Sequence, residues 1–274
     1  HLTAASSATG RLTKLRASIN ERGLIEALDY DQIDDVGAYP RAPEPASLYR
    51  MHGNLSGAYK VKNISCRNRV VLTNKTPSGL NRGFGGPQHY FALERLVHQI
   101  AVELNLNVLD VIKVNLLEKK QFPYKSPSGA LLDSGDFQKL IRKVVKSSTY
   151  KNILKKKNNA IKNGKIYGIG YSAIIEPSIS NMGYVTTALP YKDREKTGHK
   201  GGALASTSVS IGPTGSVYVT CDSLPQGQGH KTILSQIVAD AFGIKINDVF
   251  VNTTHDTHKA VSYTHLRAHE TIPD

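Results

Sequence analysis

The sequence predicts an α+β protein of two units, each a mixed sheet with packed helices, on three observations. Alternating apolar patterns mark one strand pair near the start and another in the last third of the chain. A strand, a glycine-rich loop and an amphipathic helix follow one another twice. A strongly basic helical stretch lies between the two occurrences.

The elements can be justified in chain order. "LTKLRASI" and "LIEALDY", within Leu12–Tyr30, read as paired strands joined by the turn "NERG". "YPRAPEPASLY" is a proline-bearing connector, and "YKVKNISCRNRVVLTN" reads as a further extended region. The loop "SGLNRGFGGPQ" then sets one cation, Arg82, and one ring, Phe84, among glycines. Glycine lets backbone approach a ligand closely, and a guanidinium offers a rigid fork of donors. The loop is therefore expected to cradle an anionic, partly planar ligand. Leu93, Leu96, Val97, Ile100, Ala101 and Leu104 form the apolar stripe of the helix that follows, which places Glu94, Arg95, His98 and Gln99 on the opposite, wet face.

From Phe137 to Asn163 the pattern is helical and basic, with a break near Ser147 and Ser148. "IYGIGYSAIIEP" reads as the opening strand of the second unit. "SVSIGPTGSVYV" reads as a hairpin turning at Gly212–Gly215. The second glycine loop, "DSLPQGQGHKT", precedes a helix carrying Ile233, Leu234, Ile237, Val238 and Ala241, and "DVFVNTT" is a last strand. The expected boundaries are residues 1–146 for the first unit, 147–164 for a basic linker, 165–260 for the second unit and 261–274 for a tail foreign to the fold.

Composition narrows the function classes. The chain has 274 residues and a net charge of +13, and ten of its cations lie in Lys139–Lys165 without one Asp or Glu. The remainder carries only +3, so the charge describes one solvated segment better than a nucleic-acid groove. No apolar run has the length of a membrane span. Two cysteines, Cys66 and Cys221, allow at most one disulfide and cannot supply the thiolates of an iron–sulfur cluster, which favours a reducing, cytoplasmic setting.

Several apparent motifs fail on spacing. "GQGHKT" places His230 between glycine and Lys231, which a phosphate-binding P-loop does not allow. "GIGYSA" lacks the third glycine and the following helix of a dinucleotide fingerprint. His255, Asp256 and His258 in "THDTH" have metal-ligating side chains, but three polar residues at the end of a strand are more often a turn. Glu176 in its apolar setting suits a structural ion pair better than a general base. Gln226 and Gln228, with amides that donate and accept at once, suit a heterocycle better than a simple phosphate.

"TNKTPSGLNRGFGGPQ" followed by "ALERLVHQIA", and later "PQGQGHKT" and "QIVADAFGI", resemble the large subunit of the xanthine dehydrogenase and aldehyde oxidase family. The resemblance covers residues 1 to 260. It implies a molybdenum–molybdopterin cofactor, with iron–sulfur clusters and FAD on partner subunits or other segments, and assembly into a higher oligomer. It also implies oxidation of an aldehyde or N-heterocycle with water-derived oxygen. By the same resemblance Arg82, Gly83 and Gly85, with Gln226, Gly227, Gln228 and Gly229, hold the cofactor. Phe84 forms one wall of a substrate slot and Tyr171 the opposing wall.

Two departures matter. Members that oxidise carbon monoxide carry a cysteine in the first loop, and Asn81-Arg82-Gly83 has none. The family's catalytic glutamate sits in a Gly-x-Gly-Glu setting that this chain lacks and is expected beyond Ala260, so the chain alone is expected to be inactive. "VSYTHLRAHET", Val261 to Thr271, matches one translated frame of a sequencing adapter and is expected to be a scar, leaving both units incomplete. The alternatives are a non-catalytic cofactor-binding paralogue and a basic nucleic-acid-binding module.

Overall fold

The computed structural model describes residues 8, 10–40, 51, 53–79, 83, 85–175, 207–221, 225 and 227–253. The chain divides into two compact units, with described residues up to 175 in the first and from 207 in the second.

In the first unit, β1 (Gly10–Ile19) and β2 (Ile25–Asp35) form the expected antiparallel pair. β3 (Asn63–Val71) then joins β2 in parallel, giving a mixed three-stranded sheet of order β1-β2-β3. The inward face of β2 carries Leu28 and Tyr30, then turns polar at Gln32 and Asp34. Across it lies α1 (Gly86–Glu103), whose Leu93, Val97, Ile100 and Ala101 are buried as the stripe predicts. Each fully buried aliphatic side chain there contributes about 1.5–3 kcal/mol.

α2 (Val108–Asn115) follows, capped by the Asn107 side chain. Its last residue, the buried Asn115, accepts from the Ile25 amide and donates to the Gly23 carbonyl, closing the β1–β2 turn. A two-stranded ribbon, β4 (Tyr124–Lys125) with β5 (Leu131–Leu132), precedes α3 (Phe137–Lys146) and α4 (Ser148–Lys162). These two helices are the basic region, broken where the sequence indicates because the Ser147 side chain caps α4.

Residues 165–175 depart from expectation. Read as a strand, they have no ladder partner among the described residues, and their Tyr171, Ala173 and Ile175 pack on the core of the first unit. Their backbone is held instead by side chains of α1, described below.

The segment leading into the first glycine loop is tied to the end of β2. Thr73 donates to the Gly37 carbonyl, Ala38 to that of Lys75, and Ser78 to that of Val36. Gly37 has φ 78°, and a Cβ there would lie 2.5 Å from the Thr76 carbonyl oxygen. Backbone cannot yield as a side chain can, so Gly37→Ala is expected to cost about 2 kcal/mol from strain and clash together. Urea unfolding measures it, and a loss well under 1 kcal/mol would show that residues 72–78 shift freely.

The second unit repeats the mixed-sheet device. β6 (Thr207–Ile211) and β7 (Val217–Cys221) make the expected hairpin. α5 (His230–Phe242) then leads to β8 (Val249–Asn252), parallel to β7. Val217, Val219, Val238, Ala239 and Val249 form its core. Both cysteines are free thiols, Cys66 exposed and Cys221 buried. No helix among the described residues is long and apolar enough to cross a membrane.

Candidate functional site

Both glycine loops end at a helix start whose cap residue is itself glycine and so offers no side-chain acceptor. α1 begins after Gly85 at φ 83°, with Pro87 in its first turn, no acidic residue in that turn and no side-chain acceptor at the cap. α5 begins after Gly229 at φ 72°, again with neither. The first amides of a helix concentrate partial positive charge and are normally satisfied by Ser, Thr, Asp or Asn. Two long helices of one chain use glycine there, in a conformation side chains rarely adopt.

Gly83 and Gly227 also have positive φ, 90° and 87°. A Cβ on Gly83 would press on Pro87 at 3.2 Å, whereas one on Gly229 would meet nothing within 4 Å. At Gly229 glycine is therefore needed for its backbone conformation and leaves open space in front of the helix. An anionic, partly planar group fits such backbone. Arg82, Phe84 and Gln226 lie outside the described residues, as do Glu176, His255, Asp256 and His258. No cluster of metal-ligating side chains occurs among the described residues.

Beside the first loop lies a cavity of about 640 Å³, lined by Gly83, Gly86 and Pro87, by Tyr90, Glu94 and His98 of α1, and by the 169–174 segment. Tyr171 is not part of this lining. Its ring faces a second, apolar cavity of about 610 Å³ with residues of α3 and α4, and its hydroxyl meets that of Tyr150 at 3.1 Å. Burial and the Tyr150 contact push the Tyr171 phenol up to about 12.

Glu94 is the residue that pattern reasoning misplaced. It is 7% exposed, not on a wet face. Both its oxygens lie 2.9 Å from the Tyr59 hydroxyl, and Oε2 also accepts the Ala173 amide at 3.0 Å. Desolvation raises its carboxyl to about 7 against the opposing pull of the Ala173 and Tyr59 hydrogen bonds. The Tyr59 phenol is itself pushed up, by burial first and by Glu94 second. Beneath the helix start, His89 is fully buried and stacks on Tyr30, ring centroids 5.6 Å apart.

Glycine-started helices recur in two separate mixed-sheet units, a backbone arrangement that suits a large anionic ligand. Residues 1–116 match one molybdopterin cofactor-binding domain and residues 143–265 a second. The chain belongs to the molybdopterin-binding large subunits of the xanthine dehydrogenase family.

It is 26% identical over 263 residues to the nicotine 6-hydroxylase large subunit of Paenarthrobacter nicotinovorans, covering 95% of this chain and 31% of that protein. It is 30% identical over 231 residues to the carbon monoxide dehydrogenase large chain of Hydrogenophaga pseudoflava, covering 81% and 27%. The crystal structure of quinoline 2-oxidoreductase from Pseudomonas putida 86 superposes with a TM-score of 0.71 at 26% identity, covering 92% of this chain and 31% of that one. The chain thus spans about three-tenths of the length of these relatives.

Proposed function

We propose that the chain is the cofactor-holding part of a cytoplasmic molybdenum hydroxylase that oxidises an aldehyde or N-heterocycle with water-derived oxygen. Electrons would leave through iron–sulfur clusters and FAD on partner subunits or other segments, within a higher oligomer. The observation that carries this reading is the pair of glycine-started helices, one in each cofactor-binding match.

When bound, the molybdenum–molybdopterin group supplies the two-electron redox chemistry. The chain's own part is to hold it. Gly83, Gly85, Gly227 and Gly229 admit it to the backbone, Arg82 braces its anionic portion, and Gln226 and Gln228 serve its heterocycle. Phe84 orients a flat substrate by stacking. Tyr171 in the opposing wall has less geometric support, because its ring packs toward Tyr150. An N-heterocyclic substrate draws support from the nicotine and quinoline enzymes among the relatives, and carbon monoxide is disfavoured by the cysteine-free stretch 78–88.

The test is molybdenum content of the parent enzyme by elemental mass spectrometry, with pterin fluorescence as a second readout. Gly229→Val and Arg82→Ala are each expected to lose most of the molybdenum while keeping the circular dichroism of the parent. Full molybdenum in both variants would overturn the reading. Phe84→Ala should keep its molybdenum but lose about 2–10-fold in kcat/KM for flat substrates, the worth of one aromatic contact.

A further inference from the structure

Three polar side chains on one stripe of α1, four residues apart, reach the main chain of a single extended segment. The Tyr90 hydroxyl donates to the Ile175 carbonyl. Glu94 accepts the Ala173 amide at 3.0 Å. His98 Nε2 lies 2.8 Å from the Tyr171 carbonyl oxygen, to which its protonated tautomer donates. Helix positions 90, 94 and 98 thus meet segment positions 175, 173 and 171, in antiparallel order. Four helical residues rise about 6 Å and two extended residues about 6.6 Å, so the two spacings stay in step over three rungs. The helix side chains do for residues 171, 173 and 175 what a neighbouring strand would do, bonding their backbone without a ladder.

Tyr90, Glu94 and His98, which line the 640 Å³ cavity, are engaged in this way, so the cavity does not present them to a small ligand; Arg95 and Ser172 complete its polar lining. The segment belongs by sequence to the second cofactor-binding match, which starts at residue 143, yet it packs with the first unit.

We propose that the Tyr90–Glu94–His98 stripe is a clamp by which the first cofactor-binding domain grips the leading segment of the second, with Glu94 as the rung whose charge sets the grip. The groups facing Glu94 are the Tyr59 hydroxyl from the 53–60 loop, the Ala173 amide from the segment, Tyr30 of β2, and Tyr90, Arg95 and His98 on its own helix. Residues 169–174 bring no charged side chain that could neutralise an ionised Glu94. Opening the segment removes the Ala173 hydrogen bond, which favours the charged carboxylate, but it also admits water to a carboxyl on which burial is the larger effect. On balance the closed form binds the proton more tightly, and the grip loosens as pH rises through the neutral range.

The clamp goes beyond cofactor binding and its test needs no cofactor. Amide hydrogen exchange of the full 274-residue chain, followed by NMR and corrected for intrinsic rates, reads the protection of Ala173 directly. Protection is expected to fall about tenfold between about pH 6 and about pH 8, and to stay flat in Glu94→Gln. Glu94→Ala should lose protection at both pH values while Leu93 and Val97 amides keep theirs. Protection independent of pH in the unaltered chain, or an equal slope in Glu94→Gln, would overturn the proposal. Should Glu94→Ala not fold, the comparison with Glu94→Gln still decides.

Discussion

Asp34→Ala is expected to destabilise the first unit by about 3–5 kcal/mol, because it strands the buried Arg11 guanidinium without its anion. The two side chains are 3% and 2% exposed and sit directly opposite each other on β1 and β2. Their contact is bidentate, at 2.5 and 2.9 Å, and Asn68 of β3 donates to the same carboxylate at 3.3 Å. One carboxylate therefore pins all three strands. The double change Arg11→Met with Asp34→Leu should recover most of the loss, since the pair's mutual attraction largely offsets its own desolvation. A double-mutant cycle by urea unfolding measures the coupling, and a value below about 1 kcal/mol would refute this account.

Glu94 gives the second large effect, and its direction is the reverse of the usual carboxylate. Its folded-state pKa is raised from 4.5 to about 7, by desolvation first. The folded chain thus holds this proton more tightly than the unfolded chain does. The resulting stability is fully present below about pH 4.5 and is lost as pH rises to about 7. A shift of that size corresponds to about 3 kcal/mol. Glu94→Gln keeps the shape and removes the charge, so its stability should be nearly level over that window and exceed that of the unaltered chain at about pH 8. Unfolding midpoints at about pH 5 and pH 8 test this; equal slopes for both proteins would place the charge in water. Asp35 moves the other way, held down to about 2 by Lys75, then Thr73 and the Gly37 amide, so its contribution is lost only in strong acid.

The elements of local origin were legible. Leu93, Val97 and Ile100 declare their helix by spacing, and the Gly212–Gly215 turn declares its hairpin by composition. The glycine starts of α1 and α5 were legible as loops, because a glycine cluster before an apolar stripe has few other uses. Glu94 was not legible. Helical periodicity sends any charged residue beside the stripe to water, and the groups that bury it lie 35 and 79 residues away in the chain. The parallel pairing of β2 with β3 was equally hidden, since apolar alternation gives a strand's faces but not its neighbour. Residues 165–175 misled for a related reason. Residues 169–175 do alternate between half-buried and exposed as a strand's would, but a helix meets them in place of a sheet.

Asn115 closes the β1–β2 turn from 90 residues downstream. The hairpin can pair as soon as its two strands have been synthesised, but the Ile25 amide and the Gly23 carbonyl wait for a partner not yet made. At roughly 5–20 residues per second that interval is about 5–18 s, long on the scale of hairpin formation. During it the nascent chain carries an open hairpin end that only the completed α2 can shut. A ribosome stalled short of residue 115 would hold a protein whose first strands are paired yet whose turn is still exposed to chaperones and proteases.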